Sequence, residues 1–179
     1  FLQTLTPPLH TSTAFFFLYY ASPIPHLPLQ APKKWVDYYR KKIGEEEPYV
    51  GRAYYPNQYP KATYAAMISY LDEQVGELVS VLKETGQYEN TIIIFRSDNG
   101  PSYVQPLDLN YFESTGFLNN HPQRVKGKVY EGGIRVPMIA SWSTKIKPGS
   151  KSNQISAFQD MMPTFCDIIG IDIPPNIDG

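Results

Sequence analysis

Thr91-Ile92-Ile93-Ile94-Phe95-Arg96-Ser97-Asp98-Asn99-Gly100-Pro101 is a short β-branched and aromatic run that ends in an oxygen-rich turn. The run from Thr91 to Phe95 is too short for a stable helix and too uniformly apolar for a half-exposed strand. It therefore reads as a buried parallel strand. In open α/β sheets, chemistry collects just beyond the carboxyl ends of such strands. Asp98 and Asn99 fall there.

Upstream of this strand, Tyr64, Met67, Ile68, Leu71, Val75, Leu78, Val79 and Leu82 recur at helical spacing. They predict a helix from Thr63 that stops at Gly86, a C-cap glycine. The short link from Gln87 to Asn90 then gives the helix-to-strand connection of a right-handed crossover unit. Downstream, residues 101–124 show little periodicity, and Asn119-Asn120 and Pro122 mark turns, so a long loop is expected near the strand end. Gly132-Gly133 precedes a second strand-like run at residues 134–142, which Pro137 makes an edge or distorted strand. Asp160 opens a short helix with Pro163 in its first turn and Gly170 at its end, and Pro174-Pro175 stop any regular element.

Toward the start of the chain, residues 14–21 form a continuous apolar and aromatic run with prolines on both sides, the pattern of a core strand. Prolines at 23, 25, 28 and 32 exclude helix or central strand after it and hold His26 on a stiffened, extended support. Residues 33–60 are charged and tyrosine-rich and read as an irregular excursion over the site.

The composition bounds the function. A chain of 179 residues with 42% apolar and 14% aromatic residues is expected to form one globular α/β domain. Sixteen basic residues against seventeen acidic ones leave a net charge of -1, so no field of either sign recommends nucleic acid or an anionic membrane as partner. Cys166 is the single cysteine and reads as core. The run at 14–21 is too short to span a bilayer and lacks a basic flank, so neither a membrane helix nor a signal peptide is read from these residues. The first residue is not methionine and the first charged one is Lys33. An internal piece of a larger protein is therefore expected.

Three segments carry candidate chemistry. The Asp98 carboxylate and the Asn99 carbonyl are hard oxygen donors for Ca²⁺ or Mg²⁺, although Asp-Asn-Gly is also a common turn sequence and two donors do not complete a site. His26, in Pro25-His26-Leu27-Pro28, is placed to hydrogen-bond an anion or help a leaving group, or is simply a loop histidine. Lys126, in Lys126-Gly127-Lys128-Val129-Tyr130-Glu131-Gly132-Gly133, offers an ammonium to an oxyanion, with glycines that admit close backbone approach, or is a solvated lysine. A cation site, a histidine and a lysine on three strand-adjoining segments jointly suit an anionic ester.

The chain resembles the middle and later part of a sulfatase of the arylsulfatase type, in the alkaline phosphatase superfamily. The resemblance rests on Phe16-Phe17-Leu18-Tyr19-Tyr20-Ala21 with Pro25-His26-Leu27-Pro28, on Tyr64-Ala65-Ala66-Met67-Ile68 with Leu71-Asp72 and Val75-Gly76, and on Ser97-Asp98-Asn99-Gly100-Pro101. Lys126-Gly127, Tyr130-Glu131-Gly132-Gly133-Ile134-Arg135-Val136-Pro137, Trp142, and Asp160 with Pro163-Thr164 and Gly170 follow in order. It implies an α/β fold, alkaline-phosphatase-like, with a mostly parallel or mixed sheet flanked by helices. Residues 1–179 would be one partial catalytic domain with no separate second domain. It implies Asp98 and Asn99 as a pair of Ca²⁺ ligands, and His26 and Lys126 as substrate-binding and catalytic residues on the sulfate oxygens. The implied substrate is a small sulfate ester or a sulfated glycan, and the implied location is periplasmic, secreted or lysosomal.

The family's nucleophile is a formylglycine made from a Cys- or Ser-x-Pro-x-Arg segment, and this chain contains none. The family's first paired-aspartate metal segment is absent as well. As given, the chain is expected to hydrolyse nothing, the nucleophile being supplied in a full-length parent. Two alternatives stand beside the sulfatase reading: a phosphonate or phosphate ester hydrolase of the same superfamily, and a non-catalytic anion-binding relative.

Overall fold

The computed structural model describes residues 15–118 and 121–178. They fall into two compact units, within Phe1–Ile146 and Lys147–Gly179. The first contains helices α1 (Lys33–Ile43) and α2 (Pro60–Glu84), strand β1 (Ile93–Arg96), a one-turn helix α3 (Glu131–Ile134) and strand β2 (Met138–Ser141). The second contains helix α4 (Met161–Ile169). Residues 1–14, which include the start of the predicted first strand, and the turn expected at Asn119-Asn120 lie outside the described residues.

Helix α2 follows the apolar periodicity closely. Pro60 occupies its first turn, where a missing N–H leaves nothing unpaired. Gly86, at φ +70°, ends it. Its N–H donates to the Lys83 carbonyl at 3.1 Å and the Gln87 N–H to the Leu82 carbonyl at 2.9 Å, the paired bonds of a Schellman motif. The N-terminal half is the buried one, with Ala62, Thr63, Ala66 and Met67 inside. Leu27, Leu29 and Met67 form the core cluster, and Tyr64, Val104 and Leu107 pack against it.

Residues 33–43 are helical where an irregular segment was expected. Arg40, Lys41 and Lys42 lie in the last turn of α1, where cations complement the helix dipole, and Gly44 closes it at φ +83°. The helix docks on α2 through specific polar contacts. Lys34 and the Trp35 indole N–H both engage the Glu73 carboxylate, the latter at 2.8 Å. The Tyr39 and Ser69 hydroxyls are 2.7 Å apart. These bonds bring the Glu73 pKa below the ordinary glutamate value, Lys34 contributing most and Trp35 next.

Strand β1 lies where the apolar run predicted a strand, but its partner runs the other way. It pairs antiparallel with β2, with Ile94 opposite Ala140 and Phe95 opposite Ile139. Pro137, which has no N–H to give a ladder, sits just before β2 and limits it to four residues. Phe95 and Ile139 keep 44% and 62% of their surface exposed, so the pair is not the buried parallel element expected. Residues 15–21 also depart from expectation: they carry no regular structure, and Phe15 and Phe17 are 97% and 77% exposed. A core strand needs a neighbouring strand for its backbone groups, and the sheet formed by the described residues consists of β1 and β2.

In the second unit, α4 has the predicted limits, Asp160 and a left-handed Gly170 at φ +72°, but the Asp160 side chain makes no capping hydrogen bond to the helix. The Asp160 carboxylate accepts from the Ala157 N–H at 2.6 Å, outside the helix. Cys166 is buried, as read from the sequence. No described helix is long and apolar enough to cross a membrane.

Two outcomes test this packing. Met67→Ala removes the side chain on which Leu27 and Leu29 close and should lower the unfolding free energy by about 2–5 kcal/mol in a denaturant titration. Glu73 has a folded-state pKa below its unfolded one. Its contribution is therefore present above about pH 4.3, the ordinary glutamate value, and is lost as pH falls through the lower folded-state value. Trp35 fluorescence should report loss of α1 docking in that acid range, and Glu73→Gln should abolish the transition.

Candidate active site

The turn that follows β1 is built by its own polar groups. The Asp98 carboxylate accepts from the Asn99 N–H at 2.9 Å, and the Ser97 hydroxyl donates to the Asn99 carbonyl at 2.8 Å. The Asn99 amide donates to the Gly100 carbonyl at 2.9 Å, which leaves its oxygen free to accept. Asp98 is exposed and Asn99 half-buried, so both present oxygen at an accessible edge.

Lys126 sits at the corner of a tight turn. The Lys128 N–H donates to the Val125 carbonyl at 3.1 Å, and Gly127 has φ +80°, the geometry of a type II turn with glycine at its third position. Val125 has no exposed surface and anchors the turn from below. This turn is bonded directly to the chain after Asn99. The Lys126 N–H donates to the Pro101 carbonyl at 3.1 Å, and the Gly100 N–H donates to the Gly133 carbonyl at 2.9 Å. The structure thus brings two of the three predicted segments together, backbone to backbone.

His26 is held by its own segment. Its N–H donates to the Pro23 carbonyl at 2.8 Å, closing a turn rather than the extended support expected from the prolines. The flanking Leu27 and Leu29 belong to the cluster that also receives Val104 and Leu107, from the loop that continues the Asp98 turn. Nδ1 of His26 lies 2.8 Å from the Leu27 carbonyl, which only accepts, so Nδ1 carries the proton. To donate to an anion through Nε2 as well, the ring must be in its imidazolium form. Among the described residues, no hydrogen bond or ion pair joins the His26 side chain to Asp98, Asn99 or Lys126. A groove of about 430 Å³ lined by Glu45, Glu46, Lys61 and Tyr111 contains none of the four.

The donor set fits a hard cation in kind and not in number. Carboxylate and amide oxygens suit Ca²⁺, which takes about six to eight of them. Among the described residues no group of three or more His, Cys, Asp or Glu could hold a metal ion. Asp98 and Asn99 are therefore at most part of a cation site. The close backbone approach expected of the glycines in the Lys126–Gly133 segment is found, and what sequence reasoning missed is its partner: Gly133 meets Gly100, 33 residues away.

A family model described as Sulfatase matches residues 2–171. The chain is 35% identical over 162 residues to the uncharacterized sulfatase YdeN of Escherichia coli (strain K12), covering 90% of this chain and 25% of that protein. It is 31% identical over 157 residues to the N-acetylglucosamine-6-O-sulfatase of Bacteroides thetaiotaomicron, covering 86% of this chain and 25% of that one. Among solved structures, Ps i-CgsB is similar with a TM-score of 0.64 at 31% identity, over 87% of this chain and 30% of that chain. A second structure, Ps i-CgsB in complex with k-i-k-neocarrahexaose, gives a TM-score of 0.62 at 30% identity, over 86% of this chain and 29% of that chain. The chain thus spans about a quarter to a third of the length of these relatives. The alkaline-phosphatase-like α/β fold class expected from the sequence is the one its structural neighbours have, and the family match takes in nearly every described residue: the chain belongs to the sulfatase family.

Proposed function

We propose that this chain forms the later half of a sulfatase active site, which binds the sulfate group of an ester and neutralises its charge during hydrolysis. The observation that supports this most is the direct bonding of the Lys126 turn to the Asp98–Asn99 turn, which puts an ammonium and a pair of oxygen donors on one stitched backbone. Lys126 binds a sulfate oxygen, and His26, as imidazolium, donates to the bridging oxygen as the alcohol leaves. Asp98 and Asn99 supply part of the Ca²⁺ site. When bound, that ion would act as a Lewis acid on the sulfate oxygens. The chain contains no Cys- or Ser-x-Pro-x-Arg segment, so this reading assigns the nucleophile and the remaining cation ligands to none of its residues.

The substrate is proposed to be a sulfated saccharide. One relative is named for a sulfated amino sugar and a structural neighbour is complexed with an oligosaccharide. Periplasmic, secreted or lysosomal placement goes with this reading. The phosphate-ester and non-catalytic readings predict different outcomes in the same assay.

In the full-length protein, Lys126→Ala should lower kcat/KM for an aryl sulfate by about 10²–10³-fold, the usual effect of removing one donor to a developing oxyanion. Faster turnover of the aryl phosphate would favour the phosphate-ester reading. Inorganic sulfate binding without turnover of either ester would favour the non-catalytic one. Asp98→Ala should weaken Ca²⁺ binding, measured by titration calorimetry, and lower sulfatase turnover with it. Unchanged calcium affinity would remove Asp98 from the site.

A further inference from the structure

Gly100 and Gly133 are both buried, and each occupies a place where a side chain would collide with backbone. A Cβ on Gly100 would lie 1.8 Å from the Gly132 carbonyl oxygen. A Cβ on Gly133 would lie 2.2 Å from the Lys128 carbonyl oxygen and 2.7 Å from that of Val125. Those two carbonyls are the ends of the turn that presents Lys126. Because the colliding atoms are main-chain oxygens, no rotamer change relieves the clash, and one segment must move away from the other. Neither glycine has a positive φ, so close approach and not turn geometry is what excludes a side chain here.

We propose that Gly133, with Gly100, is a positioning residue for Lys126. The Lys126 turn rests on the bare α-carbon of Gly133, and the Gly133 carbonyl in turn receives the Gly100 N–H, two residues after Asp98. The seat therefore fixes where the ammonium stands relative to the Asp98–Asn99 turn. A shift of one ångström in this seat moves the ammonium by a comparable distance, and misplacement on that scale can reduce turnover about 10²-fold. This rests on the assignment of Lys126 to the sulfate oxygens.

The test uses the full-length protein, an aryl sulfate for turnover and inorganic sulfate as a competitive probe of anion binding. Gly133→Ala should lower kcat/KM by about 10²-fold and weaken sulfate inhibition. Gly86→Ala serves as the control, since it strains a left-handed glycine at the end of α2 with nothing within 4 Å of the new methyl. It should lower the melting temperature and leave both readouts unchanged. The decisive measurement is a double-mutant cycle. If Gly133 acts through Lys126, adding Gly133→Ala to Lys126→Ala should produce little further loss, whereas full additivity would overturn the proposal. Gly127→Ala strains the same turn without a clash and carries the same cycle if Gly133→Ala does not fold. Lys126→Ala with wild-type turnover and wild-type sulfate inhibition would instead sink the underlying assignment, and the proposal with it.

Discussion

Burial of the first turns of α2 is the constraint on which the rest of the larger unit depends. Ala62 and Ala66 have no exposed surface and Met67 only 2%, so neighbouring segments approach the helix axis closely there. A buried helix start also needs partners for its free N–H groups. Glu46 gives both carboxylate oxygens to the Lys61 and Ala62 N–H groups, at 2.6 and 3.1 Å, and Asn57 accepts from the Tyr59 N–H at 2.9 Å. A negative charge at a helix N-terminus is favourable for both hydrogen bonding and the dipole. Three loops therefore converge on one helix end: residues 27–29, residues 46–57, and the loop after Asn99, whose Asp108 pairs with Lys61 at 3.5 Å. Two of these loops carry or adjoin the candidate site.

What was legible in the sequence was whatever a local pattern encodes. The eight apolar positions of α2 and the stop at Gly86 are local, and so are the loop at residues 22–32 and the limits of α4. Helix α1 escaped because its stripe of Trp35 and Tyr39 is narrow and flanked by lysines. It is held by Glu73 and Ser69, 38 and 30 residues away from the groups they bind. The strand at Ile93 was legible as a strand, yet periodicity says nothing of a partner's direction, and β2 is the partner that this chain supplies. The aromatic run at residues 15–21 shows the same limit from the other side. Apolar composition favours burial, but burial needs a complementary surface, and Phe15 and Tyr19 of this run stay 97% and 77% exposed.

The chemistry of the candidate site was legible in residue types, and its assembly was not. Asp98, Asn99, His26 and Lys126 can each be picked out as a group with an ordinary structural reading beside it. The joining of the Lys126 segment to the Asp98–Asn99 segment depends on main-chain contacts at Gly100, Pro101 and Gly133, which leave no trace in side-chain chemistry. A glycine that answers to steric closeness differs from one that answers to backbone sign. Gly127 and Gly86 are of the second kind, and Gly100 and Gly133 of the first. Only the second kind announces itself as turn punctuation.

Bonding the two turns together creates a further requirement. The Asp98 carboxylate and the Lys126 ammonium are opposite charges on segments joined by backbone hydrogen bonds, and among the described residues they do not form an ion pair. A pair between them at a solvent-accessible edge would contribute about 1 kcal/mol or less. It would also cancel the field that each offers to a third group. The tight Lys126 turn, seated on Gly133, and the self-bonded Asp98–Asn99 turn keep the two heads on separate rigid supports. On the proposed reading the carboxylate would then be available to a cation and the ammonium to an anion, and that separation of charge, held by main chain, would let one small stretch of structure receive both.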